Sequence, residues 1–170
     1  MIMNLMKITL FLFAFILMSC GNSNESKEEK ETFKINKTEE VEEVADGVSR
    51  IILTGNDQMR FNLEEIKVNA GDKVELILKH VGKLGVQVMG HNFVLLNPGV
   101  NINEFASAAV EAKDNDYIPE NTNKVIVHTK MIGGGEQTSI TFDAPEKGTY
   151  VFICSFPGHV ALMQGKFIVE

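Results

Sequence analysis

The 170-residue sequence contains no tryptophan and only two cysteines, Cys20 and Cys154. A disulfide framework of the kind that stabilises small secreted domains is therefore excluded, and each thiol needs its own explanation. Basic residues are also scarce, because 16 Lys and Arg stand against 23 Asp and Glu, for a formal net charge of −7. A nucleic-acid-binding surface needs clustered Lys and Arg, so no nucleic-acid partner is expected.

Residues 1–19 have the pattern of an export signal. Lys7 precedes a run of ten residues at 8–17 that is apolar except for Thr9; the run is too short to span a bilayer and is typical of a signal peptide. The sequence Leu-Met-Ser-Cys that ends at Cys20 resembles the lipobox of bacterial lipoproteins. That resemblance implies cleavage before Cys20 and diacylglycerol on its sulfur. The alternative is an ordinary secretory signal cleaved near Ser19; the domain is exported in both cases.

Residues 20–47 are expected to form an acidic, flexible tether behind the lipidated Cys20. Between positions 21 and 47 there are nine Asp or Glu and four Lys but only five apolar side chains, too few to offset the entropy of ordering. The alternative is a short solvated helix at 38–45. By resemblance to lipoprotein sorting, Gly21 after the cysteine favours the outer membrane, with the domain on the periplasmic side.

Residues 48–170 carry short segments of strand character separated by turn residues. The predicted strands are 48–54, 61–68, 73–80, 91–96, 124–130, 136–142, 149–154 and 166–169, several of which alternate apolar with polar residues. About eight short strands in one domain predict an all-β fold, an antiparallel β-sandwich with Greek-key connections. Residues 101–113 instead predict one helix inserted between two strands.

The last loop of the domain has the spacing of a metal site. Cys154, His159 and Met163 lie five and then four residues apart, with a Pro-Gly bend between the first two. Taken singly, a buried thiol, a surface imidazole and a core thioether are more common explanations. Together with His91, they describe two imidazoles, a thiolate and a weak axial Met, which is the donor set of a blue-copper site. Zinc fits this set less well, because structural zinc sites seldom include a thioether. A catalytic Cys-His pair is the other alternative, but no third group that would orient the histidine is evident beside Cys154.

Four ordered segments are similar to those of azurins, which are blue copper proteins of the cupredoxin family. They are CSFPGHVALMQG at 154–165, GNDQM at 55–59, VMGHN at 88–92 and HTKMIGGGE at 128–136. The resemblance spans nearly all of residues 48–170. It implies a cupredoxin-like sandwich that holds one copper ion.

By position, the resemblance implies that His91, Cys154 and His159 are the strong copper ligands. Met163 would be the weak axial ligand, and the Gly90 carbonyl a second distant axial contact. Asn92 and Phe156 match residues that tie the ligand loops together and shield the sulfur. His80 and His128 match positions outside the copper shell and are expected to be structural or merely titrating.

An apolar docking patch is also implied around the exposed edge of His159. Its members are Met59, Leu84, Val88, Met89, Phe156, Gly158, Ala161 and Leu162. Such a patch is typical of small, weak interfaces with redox partner proteins.

The expected function is electron transport by a membrane-tethered carrier that cycles between Cu(I) and Cu(II) and transforms no small-molecule substrate. Copper sequestration or delivery is the alternative, since the same ligands would serve it. An enzyme of the nitrite-reductase type needs a second histidine-rich copper centre, for which only His80 and His128 remain. Azurins also carry a disulfide near the N-terminus of the domain, which this chain cannot form, so the apo-domain is expected to depend strongly on bound metal.

Overall fold

The computed structural model describes residues 41–45 and 47–170. The predicted signal peptide, the lipidation site Cys20 and most of the predicted tether lie outside the described residues. Within these residues the strands are β1 (Val41–Ala45), β2 (Val48–Gly55), β3 (Glu65–Val68), β4 (Lys73–His80), β5 (Val94–Leu96), β6 (Val125–His128), β7 (Gln137–Asp143), β8 (Gly148–Ile153) and β9 (Gln164–Val169). The helices are α1 (Val86–Met89) and α2 (Ile102–Ala109), with 3₁₀ turns at Val110–Asn115 and His159–Ala161.

The strands form two sheets, which confirms the predicted sandwich with an inserted helix. One sheet has the order β1-β2-β4-β7 and the other has the order β3-β9-β8-β5-β6. The sheets are mixed rather than purely antiparallel, because β4 lies parallel to β2 and β9 lies parallel to β3. A parallel neighbour requires a crossover connection, and β3 in the opposite sheet serves as the crossover between β2 and β4.

Two predicted strands are shorter than expected. The segment 61–68 is reduced to β3, since Phe61 makes only an isolated bridge with Gly55. The segment 91–96 is reduced to β5, since His91 pairs with Ile132 in an isolated bridge. In both places the chain leaves the sheet to form loops at the same end of the sandwich.

Strand β1 lies where the sequence predicted a flexible segment or a short helix. It pairs antiparallel with β2, so that Val41 lies opposite Ile51 and Ala45 lies opposite Val48. The composition of this segment did not indicate a strand. Its backbone hydrogen bonds with the outer edge of β2 order it, and they also cover an edge that would otherwise be free to pair with another chain.

The core lies between the sheets and consists of alternate residues of each strand. In β2 and β4 every second side chain is buried, which turns Ile51, Leu53, Leu76 and Leu78 inward. Phe93, Phe152 and Phe167 pack against them from the other sheet. Each such side chain stabilises the fold by about 1.5–3 kcal/mol through burial.

Helix α2 covers the outer face of the second sheet. Its Phe105 and Ala109 are fully buried against Val94 and Leu96 of β5, so that strand is buried on both faces. The helix begins after Asn101, whose side-chain oxygen accepts hydrogen bonds from the backbone N–H groups of Asn103 and Glu104. This cap satisfies two of the helix's free N–H groups and accounts for the observed start.

Among the described residues, no helix has the length and hydrophobicity needed to cross a membrane.

Candidate metal centre

The loop between β8 and β9 brings three of the predicted site residues close together. The backbone N–H of Cys154 donates to the carbonyl of Met163 at 2.9 Å, which closes the loop at its base. Gly158 adopts a left-handed backbone (φ 83°) that a residue with a side chain would adopt only with strain, and it turns the chain back inward. The N–H of Met163 then donates to the carbonyl of His159 at 2.8 Å. The thiol and the imidazole therefore point into the space that the loop encloses.

His91 reaches the same space from the other side. Its backbone exchanges two hydrogen bonds with Ile132, both 2.9 Å long, which fix the chain just before β5. Its ring Nε2 lies 2.9 Å from the carbonyl oxygen of Asn56, which can only accept, so Nε2 carries the hydrogen. The other ring nitrogen, Nδ1, is left as a free electron-pair donor. This is the tautomer that a metal ligand needs.

The three ligand atoms have the separations that a metal ion requires. Cys154 Sγ lies 3.6 Å from His159 Nδ1 and 3.9 Å from His91 Nδ1, and the three residues form a cluster whose ligand atoms all lie within 4.8 Å of one another. Metal–nitrogen bonds of about 2.0 Å and metal–sulfur bonds of about 2.3 Å that meet at about 120° separate nitrogen from sulfur by about 3.7 Å. The cluster therefore fits one trigonally bound ion without rearrangement.

The donor chemistry favours copper. A thiolate with two imidazoles and a distant thioether is the ligand set typical of blue copper. Met163 is fully buried. A Cβ built on Gly55 would lie 3.3 Å from the terminal methyl of Met163 and 2.6 Å from the His91 ring, so both side chains border the same position. The Gly90 carbonyl oxygen lies 3.7 Å from Cys154 Sγ. The weak thioether and the carbonyl are thus both at the cluster.

Burial shifts the proton affinities of all three groups. It raises the pKa of the Cys154 thiol to about 11, against the opposing effect of the Asn92 and Phe156 N–H groups that point at the sulfur. Burial also lowers the pKa of His159 to about 4, with a further contribution from His91, and lowers the pKa of His91 itself. In the metal-free protein at neutral pH the imidazoles are therefore ready to bind a cation, while the thiol must release a proton to do so.

Asn92 connects the two ligand loops. Its side-chain oxygen accepts from the N–H of Ser155 at 2.9 Å, and its Nδ2 donates to Ser155 Oγ at 2.8 Å. The same Nδ2 donates to the carbonyl of Asp116 at 2.9 Å. Both Asn92 and Ser155 are buried, so these bonds are shielded from competing water.

The two remaining histidines lie outside the cluster. His80 is buried and its ring stacks on that of His91, with centroids 4.3 Å apart. Its Nδ1 accepts from the N–H of Gly82 at 3.1 Å, and its Nε2 donates to the carbonyl of Met89 at 2.7 Å. His128 lies on β6 with its Nδ1 3.1 Å from the carbonyl of its neighbour Thr129. His80 thus supports a cluster residue, and His128 lies away from the cluster.

The predicted docking patch is accessible, but His159 is less so than expected. Leu84, Val88 and Leu162 are 42%, 64% and 40% exposed, whereas His159 is only 3% exposed. Phe156 packs against its ring, with centroids 4.6 Å apart. The remaining patch residues are exposed or half-buried: Met59, Met89, Phe156, Gly158 and Ala161. The imidazole therefore lies just beneath the patch rather than projecting through it.

The loop after β2 contributes contacts that the sequence analysis did not assign. Asn56 orients His91, and the carboxylate of Asp57 accepts from the N–H groups of Lys83 at 2.8 Å and Leu84 at 3.2 Å. The hydrogen bond from Lys83 is the main reason why the pKa of Asp57 is lowered. This segment was part of the azurin resemblance, so the signal was present, but a backbone carbonyl's role cannot be read from residue type.

A family model described as copper binding proteins, plastocyanin/azurin family, matches residues 48–170. The chain belongs to this family. Azurin-1 of Alcaligenes xylosoxydans xylosoxydans is 43% identical over 117 residues, which cover 66% of this chain and 91% of the relative. The azurin of Pseudomonas aeruginosa is 42% identical over 122 residues, covering 69% of this chain and 82% of the relative.

Solved structures agree with this membership. Auracyanin A, a "blue" copper protein of Chloroflexus aurantiacus, superposes with a TM-score of 0.67 at 31% identity and covers 73% of this chain and 100% of its own. The reduced auracyanin of Roseiflexus castenholzii gives a TM-score of 0.64 at 29% identity, covering 71% of this chain and 96% of its own. The cupredoxin fold and the single copper cofactor expected for a plastocyanin/azurin family member are confirmed.

Proposed function

We propose that the protein is an electron carrier that works through one copper ion bound by His91, Cys154 and His159. Met163 and the Gly90 carbonyl would serve as additional weak contacts to the ion. The observation that carries the proposal is the cluster itself: three buried ligand atoms at trigonal separations, with the His91 tautomer already selected by Asn56. Membership in the plastocyanin/azurin family supports the same function.

Bound copper would supply the one-electron chemistry, and the chain's own residues keep the cost of each transfer low. His91 is fixed through Asn56 and Ile132, and Cys154 through Met163. Because these ligand atoms are held by backbone hydrogen bonds, they move little between oxidation states. Complete burial of Cys154 keeps water from the sulfur, and a dry site reduces the solvent rearrangement that accompanies a change of charge.

We further propose that electrons enter and leave through the docking patch above His159. Phe156 of the patch packs on the imidazole, and Leu162 and Val88 of the same patch are 40% and 64% exposed. A flat apolar surface allows a redox partner to dock closely and leave quickly.

Copper delivery is disfavoured by the depth of the site. A protein that hands its metal to an acceptor needs ligands that another protein can reach. Here Cys154 and His91 are fully buried and His159 is 3% exposed. Exchange of copper would require the loop between β8 and β9 to open.

Anchoring of the exported domain by lipid on Cys20, on the periplasmic side of a bacterial membrane, is proposed from the sequence pattern of residues 1–20. Two acyl chains or more give a stable anchor, at about 0.8 kcal/mol for each buried CH₂. Metabolic labelling with a radioactive fatty acid in a bacterial host tests this. Label and membrane association should both be lost in a Cys20→Ser variant; equal membrane association of the variant would reject the anchor.

The copper proposal is tested by adding one equivalent of Cu(II) to the chain that begins at residue 21 and recording visible absorption and EPR spectra. An intense blue thiolate-to-copper band with narrow copper hyperfine splitting is expected. Cys154→Ser is the matched control and should give only a pale, ordinary Cu(II) spectrum. If the two proteins give the same spectrum, the thiol is not a ligand and the electron-carrier proposal fails.

A further inference from the structure

Two consecutive residues of the connection that follows α2 have a left-handed backbone although neither is glycine. Asp116 has φ 53° and ψ 28°, and Tyr117 has φ 57°. Single left-handed residues of this kind are uncommon, and two in succession are maintained only where the surroundings require them. The contacts of the 116–117 pair show what it does in this fold.

Asp116 contacts two separate loops at the metal end. Its carbonyl oxygen accepts from Asn92 Nδ2 at 2.9 Å, and Asn92 in turn holds Ser155 beside the cysteine. Its carboxylate accepts from the backbone N–H of Met131 at 2.9 Å. Because the backbone is left-handed, one residue can direct its carbonyl to one loop and its carboxylate to another.

Tyr117 contacts the third loop. Its ring meets the ring of Phe156 edge to face, with centroids 5.3 Å apart and an interplanar angle of 62°. Phe156 then packs on His159 at 4.6 Å. The N–H of Tyr117 donates to the carbonyl of Ala112 at 2.9 Å, which ties the pair back to the 3₁₀ turn that follows α2.

The pair contacts two residues that flank Gly90: Asp116 binds the backbone N–H of Met131, and Tyr117 packs on the ring of Phe156. A Cβ built on Gly90 would lie 2.9 Å from Met131 Sδ and 2.9 Å from Phe156 Cδ2, so the residue is held closely between them. The carbonyl of Gly90 is the one that lies 3.7 Å from Cys154 Sγ. The backbone oxygen of Val86 lies on a third side, 2.7 Å from the same Cβ position, so the pair contacts the residues on two of the three sides that position this carbonyl.

We propose that Asp116 and Tyr117 are positioning residues for the copper centre. They join the connection after α2 to the His91, Met131 and Cys154 loops, and through Met131 and Phe156 they set the distance of the Gly90 carbonyl from the metal. This inference rests on the proposed function for its effect on copper. Its structural part concerns contacts within the chain and is testable in the metal-free protein.

The first test compares three carboxylate variants. Asp116→Gly keeps the left-handed backbone available but removes the acceptor for Met131 N–H, whereas Asp116→Asn keeps an oxygen acceptor and removes only the charge. Asp114→Asn removes the same charge two residues away on an exposed side chain. In the metal-free protein, amide hydrogen exchange at Met131 should be at least about tenfold faster in Asp116→Gly, and close to wild type in the two Asn variants.

The copper-loaded proteins supply the second readout. The midpoint potential and the EPR hyperfine splitting should change in Asp116→Gly and stay at the wild-type values in Asp116→Asn and Asp114→Asn. Equal changes in all three variants would mean that charge, not position, is responsible, and would overturn the inference. Unchanged exchange and unchanged potential in Asp116→Gly would also overturn it.

Tyr117 is tested by Tyr117→Leu with Tyr117→Phe as the conservative control. In Tyr117→Leu, loss of the ring should shift the NMR signals of the Phe156 ring in the metal-free protein and alter the EPR spectrum of the copper form. Tyr117→Phe keeps the ring, so both spectra should match those of the wild type. If Leu behaves as Phe does, Tyr117 is not a positioning residue. If wild-type protein gives no blue centre at all, the proposed function fails separately, while exchange at Met131 still decides whether the 116–117 pair holds the loops.

Discussion

The two ends of the β-sandwich differ in the chemistry that holds their loops. At the metal end the described chain buries six polar side chains: His80, His91, Asn92, Thr129, Ser155 and His159. At the opposite end it buries only Ser49 and Asp72, which bond to each other at 2.6 Å, and the nearby ion pair between Lys73 and Asp143 is solvent-exposed. Buried polar bonds are costly to break, so the metal end is held rigidly, while the opposite end is closed by ordinary turns.

The strongest contrast between the ends should come from glycine-to-alanine changes. Gly55→Ala would place a Cβ 2.6 Å from the His91 ring and 3.3 Å from the Met163 methyl, so the His91 ring must move. We expect at least about a tenfold loss of copper affinity and about 1–3 kcal/mol of stability from the overpacking. Competition with a chelator and urea unfolding measure the two effects.

Gly148→Ala at the opposite end is the matched control. A Cβ there would make only ordinary contacts, the nearest at 3.7 Å to the Tyr150 ring. Copper affinity should stay at the wild-type value. Equal losses of affinity in the two variants would mean that the metal end is no less tolerant than the opposite end.

Removing one buried hydrogen-bonding side chain from each end separates stability from site geometry. Asn92→Ala leaves Ser155 and the Asp116 carbonyl without their partner, and Ser49→Ala leaves Asp72 without its hydroxyl donor. Each should cost about 1–3 kcal/mol in the free energy of unfolding, measured by urea denaturation. Only Asn92→Ala should broaden the EPR spectrum and shift the midpoint potential. A spectral change in Ser49→Ala of the same size would contradict the division between the ends.

The metal-free protein should lose stability at both acid and alkaline pH because of groups at the metal end. In the folded chain the pKa values of His91 and His159 are lowered, His159 to about 4, so below the ordinary histidine value of about 6.5 the unfolded chain takes up protons first. Stability should therefore fall from about pH 6.5 towards pH 4. The pKa of Cys154 is raised to about 11, so the unfolded thiol ionises first and stability should fall again above about pH 9.

Urea unfolding of the metal-free protein across this range measures the effect, with a His91→Gln, His159→Gln variant as the control for the acid side. The wild type should lose more stability than the variant between pH 6.5 and 4.5. If the two curves run parallel there, the lowered pKa values of the imidazoles do not govern the acid limit.

The smallest effect is expected at the surface of the opposite end. Lys73 and Asp143 pair at 2.8 Å with side chains 55% and 85% exposed, and such pairs contribute about 0–1 kcal/mol. Lys73→Ala should leave the unfolding midpoint and the copper spectrum nearly unchanged. A loss well above 1 kcal/mol would show that the opposite end relies on its ion pair after all.

Much of the fold could be predicted from the sequence, because the alternation in β4 and the helical pattern of residues 101–113 are local patterns with local causes. Cys154, His159 and Met163 could be named as candidate metal ligands from their spacing on one loop. Other features could not be predicted. Strand β1 is ordered by its pairing with β2, and the parallel placement of β4 depends on where the chain crosses between sheets.

By itself the sequence determined the donor atoms, the soft thiolate and thioether beside two imidazoles, since these are properties of residue type. It also determined that the thiolate, the thioether and one of the imidazoles lie on a single loop bent by Pro157 and Gly158. Only the tertiary structure decided that the Asn56 carbonyl selects the His91 tautomer, and that the 116–117 pair contacts Met131 and Phe156 beside Gly90. These contacts join segments distant along the chain, two of them through backbone groups, which every residue carries, and their placement is a consequence of how the sheets pack.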